Sequence, residues 1–193
     1  MVYMNDELEV LFDSKTKPKV LKLFFQNEGV FFNLKEVSKK CQVSRDKAKR
    51  EVRSLQKIKL LQVKTQKGKK IFSLNPKFIF LNEIRSMIFR ASPLYLGDLK
   101  KLFRKDKKIK LVAVSGVFLQ EERSPVDILI VGDRIKKSRL SPIIKKLESE
   151  VGKEIKWSLM PQEEFDYRFK MHDRFLKDVF DHAHKRIIDK LKI

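Results

Sequence analysis

The run NLKEVSKKCQVSRDKAKREVRSLQKIKLLQVKTQKGKKIF, Asn33 to Phe72, holds fourteen lysines and arginines against three acids, so eleven of the chain's net +20 charges lie in forty of its 193 residues. Its punctuation is that of two helices and a hairpin. Asn33 with Glu36 three positions on is a capping box opening a short helix, with Leu34 and Val37 facing inward and an end near Cys41. Gln42-Val43-Ser44 reads as the break, Val43 turned to the core and Ser44 accepting from the first free amides of the next helix. That helix is expected from Arg45 to about Ile58. Ala48, Val52, Leu55 and Ile58 recur at helical spacing on one face, leaving Arg45, Asp46, Lys49, Arg50 and Arg53 on the other. Leu60 to Thr65 alternates as a strand and Lys69 to Leu74 answers it. Gly68, in the Gln66-Lys67-Gly68 turn, supplies the positive φ that a tight hairpin needs.

A helix, a break, a cation-rich helix and a basic hairpin, in that order, are the plan of a winged helix-turn-helix. A helix covered on its apolar side and lined with arginine on the other suits a major groove. Arginine pairs with a guanine edge at two points, whereas lysine mostly finds phosphate. The expected interface with double-stranded DNA is therefore Ser44, Arg45, Asp46, Lys49, Arg50 and Arg53, with Lys64, Lys67, Lys69 and Lys70 lining the hairpin tip. A merely solvated face is the plainer reading of the same charges; the turn, the small Ala48 and the following hairpin favour DNA. Upstream, Ser14 can cap a helix from Lys15 to about Gln26, with Pro18 near its start and Val20, Leu21, Leu23, Phe24 and Phe25 as its buried stripe. Downstream, a helix from Phe78 to about Arg90 carries Ile79, Phe80, Ile84, Ile88 and Phe89. These complete the core or pack against a second copy, and a homodimer is expected. Leu11-Phe12-Asp13-Ser14-Lys15, Val43-Ser44-Arg45 and the Leu60-Leu61 entry to the hairpin resemble the winged-helix domains of small prokaryotic transcriptional regulators, over roughly Leu8 to Arg90.

Ala91-Ser92-Pro93 reads as a hinge dividing a domain of residues 1–92 from one of residues 93–193. Beyond it, Leu96, Leu99, Leu102 and Phe103 form a short helix. Strands are expected at Ile109 to Val114, Val126 to Val131 and Glu154 to Met160, with a helix from Leu140 to Val151 before the last. The whole is a two-domain α+β or α/β chain whose C-terminal half has a mixed sheet. That half, from about Leu96 to Phe180, resembles the minimal nucleotidyltransferase domain, a small relative of the DNA polymerase β catalytic fold. The resemblance implies a strand ending in a Gly-Ser turn and two aspartates one residue apart on the next strand. With a third carboxylate alongside, they hold Mg²⁺ against nucleotide phosphates. Here the turn reads Ser115-Gly116, the pair reads Pro125-Val126-Asp127, and the third strand offers Glu154, Lys156 and Ser158. Proline stands at the first ligand position, so the expectation is the fold without the activity, with no catalytic residue, metal or cofactor. Ser115, Gly116 and Asp127 would then be a vestigial nucleotide site whose turn cradles an anion, or the domain is a dimer or protein-partner surface, the preferred reading. Asp127 itself can accept from the amides of the Ser115-Gly116 turn. Regulators joining a winged helix to such a degenerate domain are similar to this chain nearly throughout, including Pro161 to Phe165 and Asp173 to Val179. The alternative function is an active, Mg-dependent nucleotidyltransferase targeted by its winged helix; RNA binding is a third.

Composition agrees with a binder of polyanions, since the pI is about 10.0. Cys41 is the single cysteine, which excludes an intrachain disulfide and points to a reducing compartment. No basic start leads into an apolar run and no long apolar stretch follows, so the chain is expected to be cytoplasmic and free of membrane. His172, His182 and His184 are expected at the surface. On a helix, His182 and His184 would point about 200° apart, too far to share a metal. Trp157 is expected in the core.

Overall fold

The structure is a computed structural model that describes residues 6–90, 96–119, 121 and 123–192. It is a mixed α and β chain in two compact units: Tyr3–Pro93 with Lys145–Glu154, and Leu94–Ile144 with Ile155–Ile193. The expected hinge at Ala91-Ser92-Pro93 lies outside the described residues. Among those described, no helix is long and apolar enough to cross a membrane.

The first unit runs α1 (Asp6–Leu11), α2 (Lys17–Gln26), β1 (Phe32–Asn33), α3 (Leu34–Cys41), α4 (Arg45–Lys57), β2 (Leu61–Gln66), β3 (Lys69–Leu74) and α5 (Leu81–Arg90). Ser14 does accept from the Lys17 amide at 3.0 Å, but it also takes Thr16 at 3.2 Å, and the helix starts two residues later than expected, with Pro18 in its first turn. All five residues of the expected α2 stripe are buried. The capping box at Asn33 and Glu36 is present, and α3 ends on a left-handed Gln42 with φ 53° and ψ 47°. The Val43 amide donates to Ser38 O and the Ser38 hydroxyl donates back to Val43 O at 2.7 Å, which locks the turn into α4. The antiparallel sheet has the order β1-β3-β2, with Phe32 opposite Phe72. Lys67 and Gly68, at φ 47° and 71°, join Gln66 to Lys69 as a two-residue turn with both φ positive, tighter than the three-residue turn expected. Phe24, Val37, Ala48, Val52, Leu55, Leu60 and Phe72 belong to one apolar core, on which Leu34, Val43, Ile84 and Phe89 pack.

Two expectations fail here because helices end or begin elsewhere. α4 stops at Lys57, so Ile58 caps its end and is exposed. α5 starts at Leu81, not Phe78, leaving Ile79 80% and Phe80 57% exposed while Ile88 is buried. Segment Lys145–Glu154, counted in this unit, is held by Asn27 Nδ2 donating to Gly152 O at 2.7 Å and by the pairs Lys19–Glu150 and Lys40–Glu154 at 2.7 and 2.9 Å.

The other elements are α6 (Leu96–Arg104), β4 (Ile109–Val114), β5 (Ile128–Gly132), α7 (Lys137–Val151), β6 (Trp157–Met160), α8 (Gln162–Lys170), α9 (Arg174–Asp181) and β7 (Lys185–Asp189). The sheet order is β6-β5-β4-β7, with only β5 and β6 parallel, so the sheet is mixed. Leu111, Ala113, Leu129 and Val131 alternate along β4 and β5 and pack on Phe165, Leu176 and Val179 of α8 and α9. β5 begins two residues later than expected and β6 three; just ahead of them Asp127 N donates to Lys156 O at 2.7 Å. Trp157 sits half-buried on the edge strand β6 rather than fully in the core. α9 ends at Asp181, so His182 and His184 are not on a helix and the 200° separation expected of them does not apply. Each instead bonds a main-chain carbonyl through Nδ1, His182 to Asp178 O and His184 to His182 O.

Candidate nucleic-acid interface

α4 is built with two unlike sides. Ser44 begins it, its hydroxyl accepting from the Lys47 amide at 3.4 Å, and Ala48, Glu51, Val52 and Leu55 are buried beneath it. Arg45, Asp46, Lys49, Arg50 and Arg53 are all exposed, as are Lys47 and Lys57, which the spacing argument left out. Asp46 lies in the first turn, where a carboxylate favours the helix dipole.

Glu51 is the residue that no sequence pattern flagged. Its buried carboxylate accepts from the Ser14 hydroxyl at 2.9 Å and lies 3.3 Å from Arg50 Nη2 and 3.7 Å from Lys17 Nζ. A buried carboxylate needs such partners. One end of the Arg50 guanidinium is thereby tethered, while its side chain stays 70% exposed. The signal was undetectable because Ser14 and Glu51 are 37 residues apart.

The four hairpin lysines are exposed but do not form one row. Residues opposite one another share a face and alternate residues share a face, so Lys64 and Lys69 lie on the Ile71 side and Lys70 on the Phe72 side. Lys67 occupies the tip. Lys64 Nζ is 4.8 Å from the centre of the Phe31 ring, a cation–π contact at the base of the hairpin. Lys40, by contrast, is engaged by Glu154, whose carboxyl it holds below the usual range by hydrogen bond and charge.

Around Asp127 the backbone closes on itself. Asp127 Oδ1 accepts from the Val117 amide and Oδ2 from the Lys156 amide, both at 2.7 Å. Gly116 has φ 52°, and a Cβ there would collide with the Asp127 carboxylate. The buried Ser115 hydroxyl donates to Ala183 O at 2.6 Å. The amides of Ser115, Phe118 and Leu119 go to Asp127 O, Ser115 O and Gly116 O. Pro125 has no side-chain oxygen to offer a metal. Among the described residues no group of three His, Cys, Asp or Glu could hold a metal ion. Cys41 is buried, which pushes its thiol up to about 12 and makes it a poor nucleophile.

Comparison with protein-family models, with curated proteins and with solved structures returns no match.

Proposed function

We propose that the protein is a sequence-specific, double-stranded DNA-binding transcriptional regulator. In this reading the first unit is a winged helix-turn-helix and the other a catalytically inactive nucleotidyltransferase-like domain serving dimerisation or partner binding. The observation that carries it is the division of α4: a seam of Ala48, Val52 and Leu55 under the helix and an exposed face of Arg45, Lys49, Arg50 and Arg53 above it, next in sequence to a hairpin of four exposed lysines. The arginines serve base edges, and Lys64, Lys67, Lys69 and Lys70 serve phosphates. Two copies on two half-sites about 34 Å apart is the geometry such modules use. The exposed Ile79 and Phe80 supply apolar surface for a second copy.

Inactivity is supported by where the residues of the nucleotidyltransferase-like turn are engaged. Both Asp127 oxygens accept from main-chain amides and the Ser115 hydroxyl donates to a main-chain carbonyl, which gives each of these groups a role in holding the fold.

The test is fluorescence anisotropy of random-sequence duplex DNA at several salt concentrations, with single-stranded RNA in parallel and with and without Mg-ATP. The reading predicts tight duplex binding that falls steeply with salt and ignores Mg-ATP. Stronger binding to RNA, or turnover of Mg-ATP, contradicts it.

A further inference from the structure

A second concentration of positive charge lies at the end of β4 and β5 remote from Asp127. Lys107, Lys108 and Lys110 at the entry to β4, Asp133 and Arg134 after β5, and Pro161 after β6 line an open cleft of about 750 Å³. The acids nearby are engaged elsewhere. Asp133 Oδ1 accepts from the Gln162 amide at 3.1 Å, and Asp106 accepts from the Lys108 amide and pairs with Arg139 at 3.4 Å. Among the described residues no carboxylate pairs with Lys107, Lys108, Lys110 or Arg134, so four cations face the cleft against the single carboxylate of Asp133. Arg134 is held there at φ 54°, a left-handed conformation that is unfavourable for a non-glycine residue. Such strain concentrates where a side chain must be aimed.

The lining also says what the cleft does not take. Pro161 is its one apolar side chain, and no aromatic is present for a base to stack on. A single strand is held by such stacking together with cations, whereas the phosphate backbone of a duplex asks only for cations. We propose that this cleft is a second, sequence-independent seat for the phosphate backbone of duplex DNA. The proposal rests on the reading that the protein binds duplex DNA, and it assigns to the C-terminal unit a share of that binding.

The experiment compares three variants of the full chain on a random 40-bp duplex: Lys107→Ala/Lys108→Ala/Arg134→Ala in the cleft, Lys170→Ala/Arg174→Ala/Lys177→Ala on exposed positions of α8 and α9, and Lys67→Ala/Lys69→Ala at the hairpin. At about 0.9 per phosphate contact, the cleft variant should flatten the slope of log K against log salt by about 2 to 3. The α8–α9 variant, with the same charge change, should flatten it by less than 1. Equal effects from those two variants, or no effect from the cleft variant, overturn the proposal. A hairpin variant that loses slope while the cleft variant does not sinks the cleft alone. The converse result keeps the cleft and removes the hairpin from the interface.

Discussion

Asp127 joins two segments through its two carboxylate oxygens, taking one amide from the turn after β4 and one from the chain entering β6. An asparagine there presents an NH₂ group to one of those two donors, so one bond is lost and a donor is left facing a donor. Asp127→Asn is expected to cost about 1–3 kcal/mol of stability while leaving duplex-DNA affinity within a factor of two. Urea unfolding and a DNA titration on the same sample check this. A variant of unchanged stability that loses a Mg-dependent activity would reverse the assignment. Half of this role was legible: the sequence placed Asp127 against the Ser115-Gly116 turn, but Lys156 enters through the backbone, and backbone partners across a sheet leave no trace in residue type. Glu51 is the same lesson. It read as one of three acids in a basic stretch, and only the fold brings Ser14, Lys17 and Arg50 to it.

Elements with a strong local period or a cap were legible to within a residue or two. α3 has its capping box, α4 its apolar stripe, β4 and the hairpin their alternation and Gly68. α1, α8, α9, β1 and β7 were not foreseen, the two strands for a common reason. β1 is two residues long and exists by pairing with β3, and Lys185–Asp189 becomes a strand by pairing with β4; neither carries a period of its own. α2 shows the reverse case, a foreseen helix with an unforeseen interior. Lys22 is buried among its apolar residues, and burial draws its ammonium down to about 8, with Lys19 adding to the shift and Glu150 and Glu9 opposing it. Because the folded value lies below the unfolded one of 10.5, the unfolded chain binds the extra proton between those values. Stability therefore rises as pH climbs from about 8 to 10.5, and the full cost is present below 8. Lys22→Met is expected to gain about 1–3 kcal/mol at pH 7 and to lose that rise. Urea unfolding of both proteins at pH 7 and pH 9.5 measures it; an identical difference at the two pH values would contradict the argument.

At the scale of the molecule, charge is allotted with a pattern. In the first unit cations gather on the exposed side of α4 and on the hairpin, with Asp46 as the one exposed acid on that helix, while Glu51 is drawn inward and Glu154 is paired with Lys40. The +20 total was legible at once, and so was its concentration between Asn33 and Phe72. The cleft of Lys107, Lys108, Lys110 and Arg134 was not, because Arg134 is distant in sequence from the lysines that it joins. Base-reading arginines on α4 and phosphate-holding lysines on the hairpin should separate in a binding measurement. The most direct measurement selects a tight duplex from a random pool, then titrates it and random DNA with Arg50→Ala/Arg53→Ala and with Lys67→Ala/Lys69→Ala. The arginine pair should narrow the gap between selected and random DNA by about tenfold or more, at about 1–3 kcal/mol per base contact. The lysine pair should weaken both alike. Equal losses on both duplexes from both pairs would mean that α4 reads no bases and would contradict the account.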